Sequence, residues 1–203
     1  DLRNAEDHTR LVSLLAHADV IVHGYRPGAL AKLGLDEEER QAIRPGLVDV
    51  SLDAYGWSGP WANRRGFDSL VQMSCGIAHA GMHAADADRP VPLPVQALDH
   101  ATGYFMAAEA LRGLTRRRHD AVASIARLSL ARTATLLIDA PLPGDANVPL
   151  DGPTTADEVE ATSWGPARRL VPPFTIDGVR VGWDSPATDL GSNSPAWSEP
   201  AVR

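Results

Sequence analysis

The apolar positions near the start of the chain switch between two periods. Leu11, Leu14, Leu15 and Ala18 recur at spacings of three and four, which puts them on one helical face, and residues 17–19 close that helix. Val20-Ile21-Val22 is then a short β-branched run, the pattern of a buried strand. After Tyr25-Arg26, Pro27 suits the first position of a short helix and Gly34 its exit. Asp36 followed by Glu39 resembles a capping box for a further helix, which Arg44-Pro45-Gly46 stops. Residues 47–52 (LVDVSL) predict a second strand. Strand, helices and strand within about thirty residues make a βαβ unit with parallel strands and a right-handed crossover. Ligands gather at the C-terminal ends of such strands, here residues 23–26 and 53–55.

Residues 55–65 are turn-rich. Phe67, Leu70, Val71 and Ile77 predict a helix over 66–80. Residues 81–94 are a loop in which Pro90, Pro92 and Pro94 force extended backbone. A long helix is expected over about 100–115, with Arg116–Arg118 complementing its dipole at the end, and another over about 120–138. The composition then shifts to Pro, Gly, Asp and Thr over 140–163, which predicts a linker. Asp177-Gly178, inside 174–181, is a hairpin signal. The resulting division is a core over 1–139, a linker over 140–163 and a closing segment with a short hairpin over 164–203. The fold class is α/β, a small parallel sheet flanked by helices.

The length of 203 residues suits one domain with an appendage, large enough to bury a core without staples. With 19 Lys+Arg against 26 Asp+Glu the net charge is −7, which argues against nucleic acid or an anionic membrane as partner. One cysteine, Cys75, excludes an internal disulfide and a cysteine-based zinc cluster. No apolar run is long enough for a membrane span and no signal peptide opens the chain, so a cytoplasmic location is expected. The chain opens on Asp1 and not Met, in the lead-in to a helix, so a longer parent protein is expected.

The sequence has no GxSxG elbow, no phosphate-binding P-loop and no GxGxxG fingerprint. His79 and His83 have a metal-binding spacing, but without a third ligand they are expected to be solvated, and no metal is assigned. Arg116–Arg118 can meet phosphate, although a solvated helix end explains them as well. Asp99 follows an extended proline-rich segment and precedes the long helix, so it sits at or beside the N-cap. There it is either a simple cap or an ionised carboxylate able to attack an electrophilic carbonyl.

Three segments taken together change this balance: ADVIVHGYRPGALAKLGL (18–35), RPGLVDVSLDAYGWSGPWANRRGFDSLVQMSCG (44–76) and ALDHATGYFMAAEALRGL (97–114). In content, order and spacing they resemble the class III CoA-transferases, the carnitine-CoA-transferase and bile-acid-inducible type. The resemblance covers residues 1–137. It implies an enzyme that moves CoA between carboxylic acids, with Asp99 as nucleophile. Attack on the donor thioester gives a mixed anhydride; returning CoA thiolate gives an aspartyl-CoA thioester, and the acceptor acid reverses the steps. The resemblance also implies that Gly24, Tyr25, Arg26, Lys32 and Leu33 lie along CoA and that Tyr55 lies near the thioester. No permanently bound cofactor is expected; CoA and acyl-CoA are substrates. The implied assembly is an interlocked homodimer, or association with another CoA-transferase half. The related 2-methylacyl-CoA racemases need a histidine where this chain has Phe67, which disfavours racemisation.

The match also departs from the family. Members are much longer, and part of their CoA site lies upstream of the residues matched here. Residues 115–121 read TRRRHDA in place of a glycine-rich turn. The second domain and its glycine loop have no visible counterpart. The alternative reading is therefore a non-catalytic CoA-transferase-like module, from a fragment, a tandem half or a degenerate paralogue, that binds CoA esters or supports a partner.

Overall fold

The computed structural model describes residues 1–140, 152 and 154–197. It divides into two compact units, Asp1–Pro141 and Leu142–Arg203.

The first unit is an α/β fold. Helix α1 (Ala5–Leu15) is capped by Asn4, whose side chain accepts from the Glu6 and Asp7 amides. Strand β1 (Val20–His23) follows, then a 3₁₀ turn (Ala31–Leu33) that Gly34 ends in the left-handed conformation. Helix α2 (Glu37–Ile43) is capped by Asp36, which accepts from the Glu39 amide at 2.9 Å. Strand β2 (Val48–Asp53) completes the βαβ unit, parallel to β1 in a register running from Val20↔Val48 to His23↔Ser51.

Helices α3 (Asp68–Ser74) and α4 (Ile77–Ala84) replace the single helix expected over 66–80, because Gly76 at φ 93° breaks it. Helix α5 (Ala97–Asp120) is longer than expected at both ends. The helix expected over 120–138 is corrected to strand β3 (Ser124–Ser129) followed by helix α6 (Leu130–Asp139). Ile125, Ala126 and Leu128 fit either period, and the free edge of β2 decides between them. β3 pairs parallel to it from Val48↔Ser124 to Asp53↔Ser129, which gives the order β1-β2-β3. Ser129 ends the strand and caps α6, accepting from the Arg132 amide at 3.2 Å.

β2 is the centre of this unit. Val48 and Val50 pack with Met106, Ala110 and Leu114 of α5. Gly113 permits that approach, because a Cβ there would stand 2.5 Å from Val48 Cγ1. Leu15, Ala18 and Leu47 form a second cluster with Ile21 and Ile43. Beyond the C-terminal end of β2, Ala54, Val71, Ile77, Leu98, Leu130 and Ala134 form a third, which anchors the start of α5. Among the described residues no helix is long and apolar enough to cross a membrane.

The second unit holds the antiparallel pair β4 (Thr155–Thr162) and β5 (Gly165–Leu170). Glu160 and Arg169 face each other across it in a bidentate pair at 2.6 and 2.7 Å. The linker expected over 140–163 thus contains a strand; its residues 141–151 and 153 lie outside the described residues. The hairpin expected at 174–181 is reduced to one bridge, Ile176↔Val179, around Gly178 at φ 74°. Pro172 and Pro173 precede it and carry no N–H to extend a ladder. The hairpin lies instead at 155–170, with Gly165 at φ 108° opening β5 directly after the turn.

Candidate active site

A cleft of about 460 Å³ opens at the C-terminal ends of the strands. Gly24, Tyr25, Arg26 and Pro27, just after β1, form one wall. Leu52, Asp53 and Ala54, at the end of β2, form its floor. Arg64, Arg65, Gly66 and Phe67 come from the turn-rich loop before α3, and Asp99 comes from the first turn of α5. Gly66 is required for the loop to pass close to β2, because a Cβ there would stand 2.6 Å from that of Ala54.

Asp99 is not the cap of α5. Gln96 holds the N-cap position without a side-chain hydrogen bond, and Asp99 is the third residue of the helix. The capping oxygen comes from another helix. Asp68, 1% exposed at the start of α3, accepts the Asp99 backbone N–H on Oδ2 at 2.8 Å. Its Oδ1 accepts from the Gln72 amide group. Gln72 in turn donates to the Val95 carbonyl at 3.1 Å and accepts the Leu93 N–H at 2.8 Å. A buried carboxylate and a buried amide thus fix the extended segment that leads into Asp99, and they leave the Asp99 side chain free in the cleft.

Burial raises the Asp99 carboxyl above the ordinary aspartate value; the Asp68 charge adds to this and His100 opposes it. Burial also raises Asp53, against the Gly56 N–H that bonds its Oδ1 at 2.7 Å.

Further back along the same face of β2 as Asp53, Asp49 is 1% exposed. Burial alone would push its carboxyl up, but His23 and Arg40 outweigh that and hold it below the usual range. Arg40 supplies the short contacts, with Nε and Nη2 each 2.7 Å from Oδ2, and also donates to the Leu35 carbonyl at 2.7 Å. His23 Nε2 stands farther off, 3.6 Å from Asp49 Oδ1. This pair supports the strand ends from which the Tyr25-Arg26 wall departs.

The residues singled out in the sequence fall into two groups. Gly24, Tyr25, Arg26 and Asp99 line the one cleft. Lys32, Leu33 and Tyr55 do not line it. Lys32 is exposed on the 3₁₀ turn, and the Leu33 carbonyl lies 2.8 Å from His8 Nε2. The Tyr55 hydroxyl pairs with Ser74 Oγ at 3.0 Å, and its ring meets Trp61 edge-on at 5.1 Å. Arg117 is paired with Asp19 at 2.7 Å, which gives it a structural role at the end of α5. His79 and His83 place their Nε2 atoms 3.1 Å apart, and among the described residues no group of three or more His, Cys, Asp or Glu is placed to hold a metal. Arg64, Arg65 and the Asp68–Gln72 pair were not singled out as site residues, and Asp53 entered only as part of the strand end 53–55; what brings them to the cleft is the approach of the loop before α3 and the start of α5 to the end of β2.

The family profile of CoA-transferase family III matches residues 1–167. The chain belongs to CoA-transferase family III. A probable fatty acyl-CoA transferase of Mycobacterium tuberculosis is 31% identical over 130 residues, 64% of this chain and 32% of that protein. A crystal structure of that protein superposes with a TM-score of 0.62 at 31% identity, covering 68% of this chain and 38% of that one. Mouse succinyl-CoA:glutarate CoA-transferase is 35% identical over 105 residues, 51% of this chain and 23% of that protein. The chain therefore spans about a third or less of the length of these curated family III relatives.

Proposed function

We infer that this chain carries the nucleophile and part of the CoA-binding wall of a class III CoA-transferase. The carboxylate of Asp99 attacks an acyl-CoA thioester, giving an aspartyl mixed anhydride and CoA thiolate. The thiolate then attacks the aspartyl carbonyl, giving aspartyl-CoA and releasing the donor acid. An acceptor carboxylate enters by the reverse steps. The anhydride is about as activated as the thioester it replaces, so the exchange is ordinary covalent catalysis. Tyr25 packs along the CoA chain, and Arg26 meets a phosphate as a charge-assisted partner. The substrates are an acyl-CoA and a carboxylic acid, and the working assembly is a homodimer or a pairing with another CoA-transferase half.

The observation that carries this reading is that Asp99 shares one cleft with Gly24, Tyr25 and Arg26, although more than seventy residues separate them. The Asp68–Gln72 scaffold, which holds the backbone of Asp99, supports it. Phe67 also lines the cleft and presents no group that moves a proton, so a racemase mechanism has no base at that position.

The test is mass spectrometry of the chain after incubation with a panel of acyl-CoAs, with hydroxylamine or borohydride trapping. An adduct mapped to Asp99, absent in Asp99→Ala while CoA-ester binding persists, is the expected result. Binding without any adduct would replace the transferase reading with that of a CoA-ester-binding module.

A further inference from the structure

A second acid, Asp53, lines the same cleft, and the transfer steps above leave it without a task. Asp53 is the last residue of β2, in register with Ser129 of β3, and is 8% exposed. Its Oδ1 closes the turn after the strand by accepting the Gly56 N–H. Its Oδ2 is buried and has no hydrogen-bond partner among the described residues. Such an atom is costly in either form, as an unpaired anionic oxygen or as a hydroxyl without an acceptor, and native structures keep few of them.

The charged or titratable groups around the cleft are Tyr25, Arg26, Arg64, Arg65 and Asp99, with Asp68 beneath Asp99. None of the three guanidinium groups bonds Asp53; Arg64 lies over the Trp61 ring, 4.3 Å from its centroid. Without a cation on it, the buried carboxyl holds its proton more tightly than a solvated aspartate. A neutral carboxyl is an O–H donor, and what the cleft takes up under the transferase reading is a carbonyl or carboxylate oxygen.

We propose that Asp53 is a second working residue of this cleft, whose Oδ2–H donates a hydrogen bond to the acyl oxygen of the thioester or acid bound beside Asp99. The proposal rests on the transferase reading of Asp99. As an Asp99 oxygen bonds to the acyl carbon, the C=O π pair moves onto the acyl oxygen, and the Asp53 hydrogen bond strengthens with that charge. On collapse the C=O re-forms, the C–S bond breaks and its electron pair leaves with CoA thiolate. Asp53 keeps its proton throughout, so the step needs no further base or co-reactant. In the neutral form it also avoids repelling a carboxylate substrate, which a second anion would do.

The test compares Asp53→Asn and Asp53→Ala with wild type in the full chain. Asparagine retains an acceptor for Gly56 and a donor for the ligand, and it cannot titrate. The rate of Asp99 adduct formation is followed from acid to alkaline pH. Alanine is expected to slow it about 100-fold, the effect of removing one oxyanion donor, while asparagine stays within about 10-fold of wild type. The wild-type rate is expected to fall on the alkaline side, and the Asp53→Asn rate not to fall there. Equal rates in wild type and Asp53→Ala, or the same alkaline fall in wild type and Asp53→Asn, would overturn the assignment. Carboxyl ¹³C NMR supplies a readout independent of turnover, using an acyl-CoA analogue with a methylene in place of the thioester sulfur. Binding is expected to move the Asp53 midpoint upward; no binding, or an unmoved midpoint, overturns the proposal. If wild type forms no adduct but the analogue still moves Asp53, the transferase reading fails and the ligand-donor role of Asp53 stands.

Discussion

Replacing Asp68 with alanine removes a helix cap supplied by a different helix. Two contacts disappear together: the Asp99 N–H loses its acceptor at 2.8 Å, and one Gln72 N–H loses Asp68 Oδ1. Loss of a capping oxygen costs about 1–2 kcal/mol. Gln72 keeps its bond to the Val95 carbonyl, so one of its two amide hydrogens is orphaned, at about 1–2 kcal/mol. Removing a buried anion that has N–H partners but no cation offsets part of this, so the net loss expected is about 2–3 kcal/mol. Asp68→Asn keeps the shape but turns one acceptor into a donor that faces another donor, and an intermediate loss is expected. Urea unfolding reads the total, and hydrogen exchange at the Asp99 amide reads the local part. Removing the Asp68 charge also takes away one cause of the raised Asp99 value, so Asp99 is expected to titrate lower. An unchanged unfolding midpoint together with unchanged Asp99 amide protection would refute the account of Asp68 as a cap.

Arg40→Leu strands a buried Asp49 carboxylate and is expected to cost about 3–5 kcal/mol, most of it recovered when Asp49→Val is added; urea unfolding of the single and double variants checks this. In wild type, the Asp49 contribution is present above the unfolded carboxyl value and is lost as pH falls through its lowered folded value. Asp53 has the opposite sign: its raised folded value makes its contribution full below the unfolded value and lost as pH rises through the folded one. Asp53→Asn is therefore expected to flatten that alkaline-going loss in a series of unfolding curves against pH. Gly113→Ala is expected to cost about 1–3 kcal/mol by pushing α5 away from Val48, seen as a lower Tm.

The parts of the fold that were legible in the sequence are those set by neighbours in the chain. The β-branched run at residues 20–22, the Asp36 cap and the Gly34 exit each encode their own conformation, and the βαβ unit follows from them. β3 was missed because its apolar spacing satisfies both periods, and only the unpaired edge of β2 selects the strand. The second hairpin was misplaced because Asp177-Gly178 is a strong local turn signal while the prolines before it deny it a ladder. Local pattern left Asp99 as either a cap or a free carboxylate beside the cap, and the structure places it third in the helix without a capping role. The residue that caps the helix, Asp68, lies 31 positions earlier, a pairing no local rule contains.

The β2 sequence VDVSLD alternates like a strand with one wet face, yet every position but Leu52 is buried. Its apolar face meets α5, as the pattern implies. Its polar face is buried too, and the three polar side chains are satisfied to a decreasing degree along the strand. Asp49 has a full ion pair with Arg40. Ser51 reaches the Ala126 carbonyl at a long 3.4 Å. Asp53 has one oxygen bonded to Gly56 and one with no partner among the described residues. A stripe kept only for strand pairing would gain nothing from that ordering, because an unpaired buried oxygen is costly at any of the three positions. It is tolerated at the position where the strand runs out into the cleft that holds Asp99. The alternation that marks β2 as a strand is thus also the device that delivers a buried acid to the cleft floor.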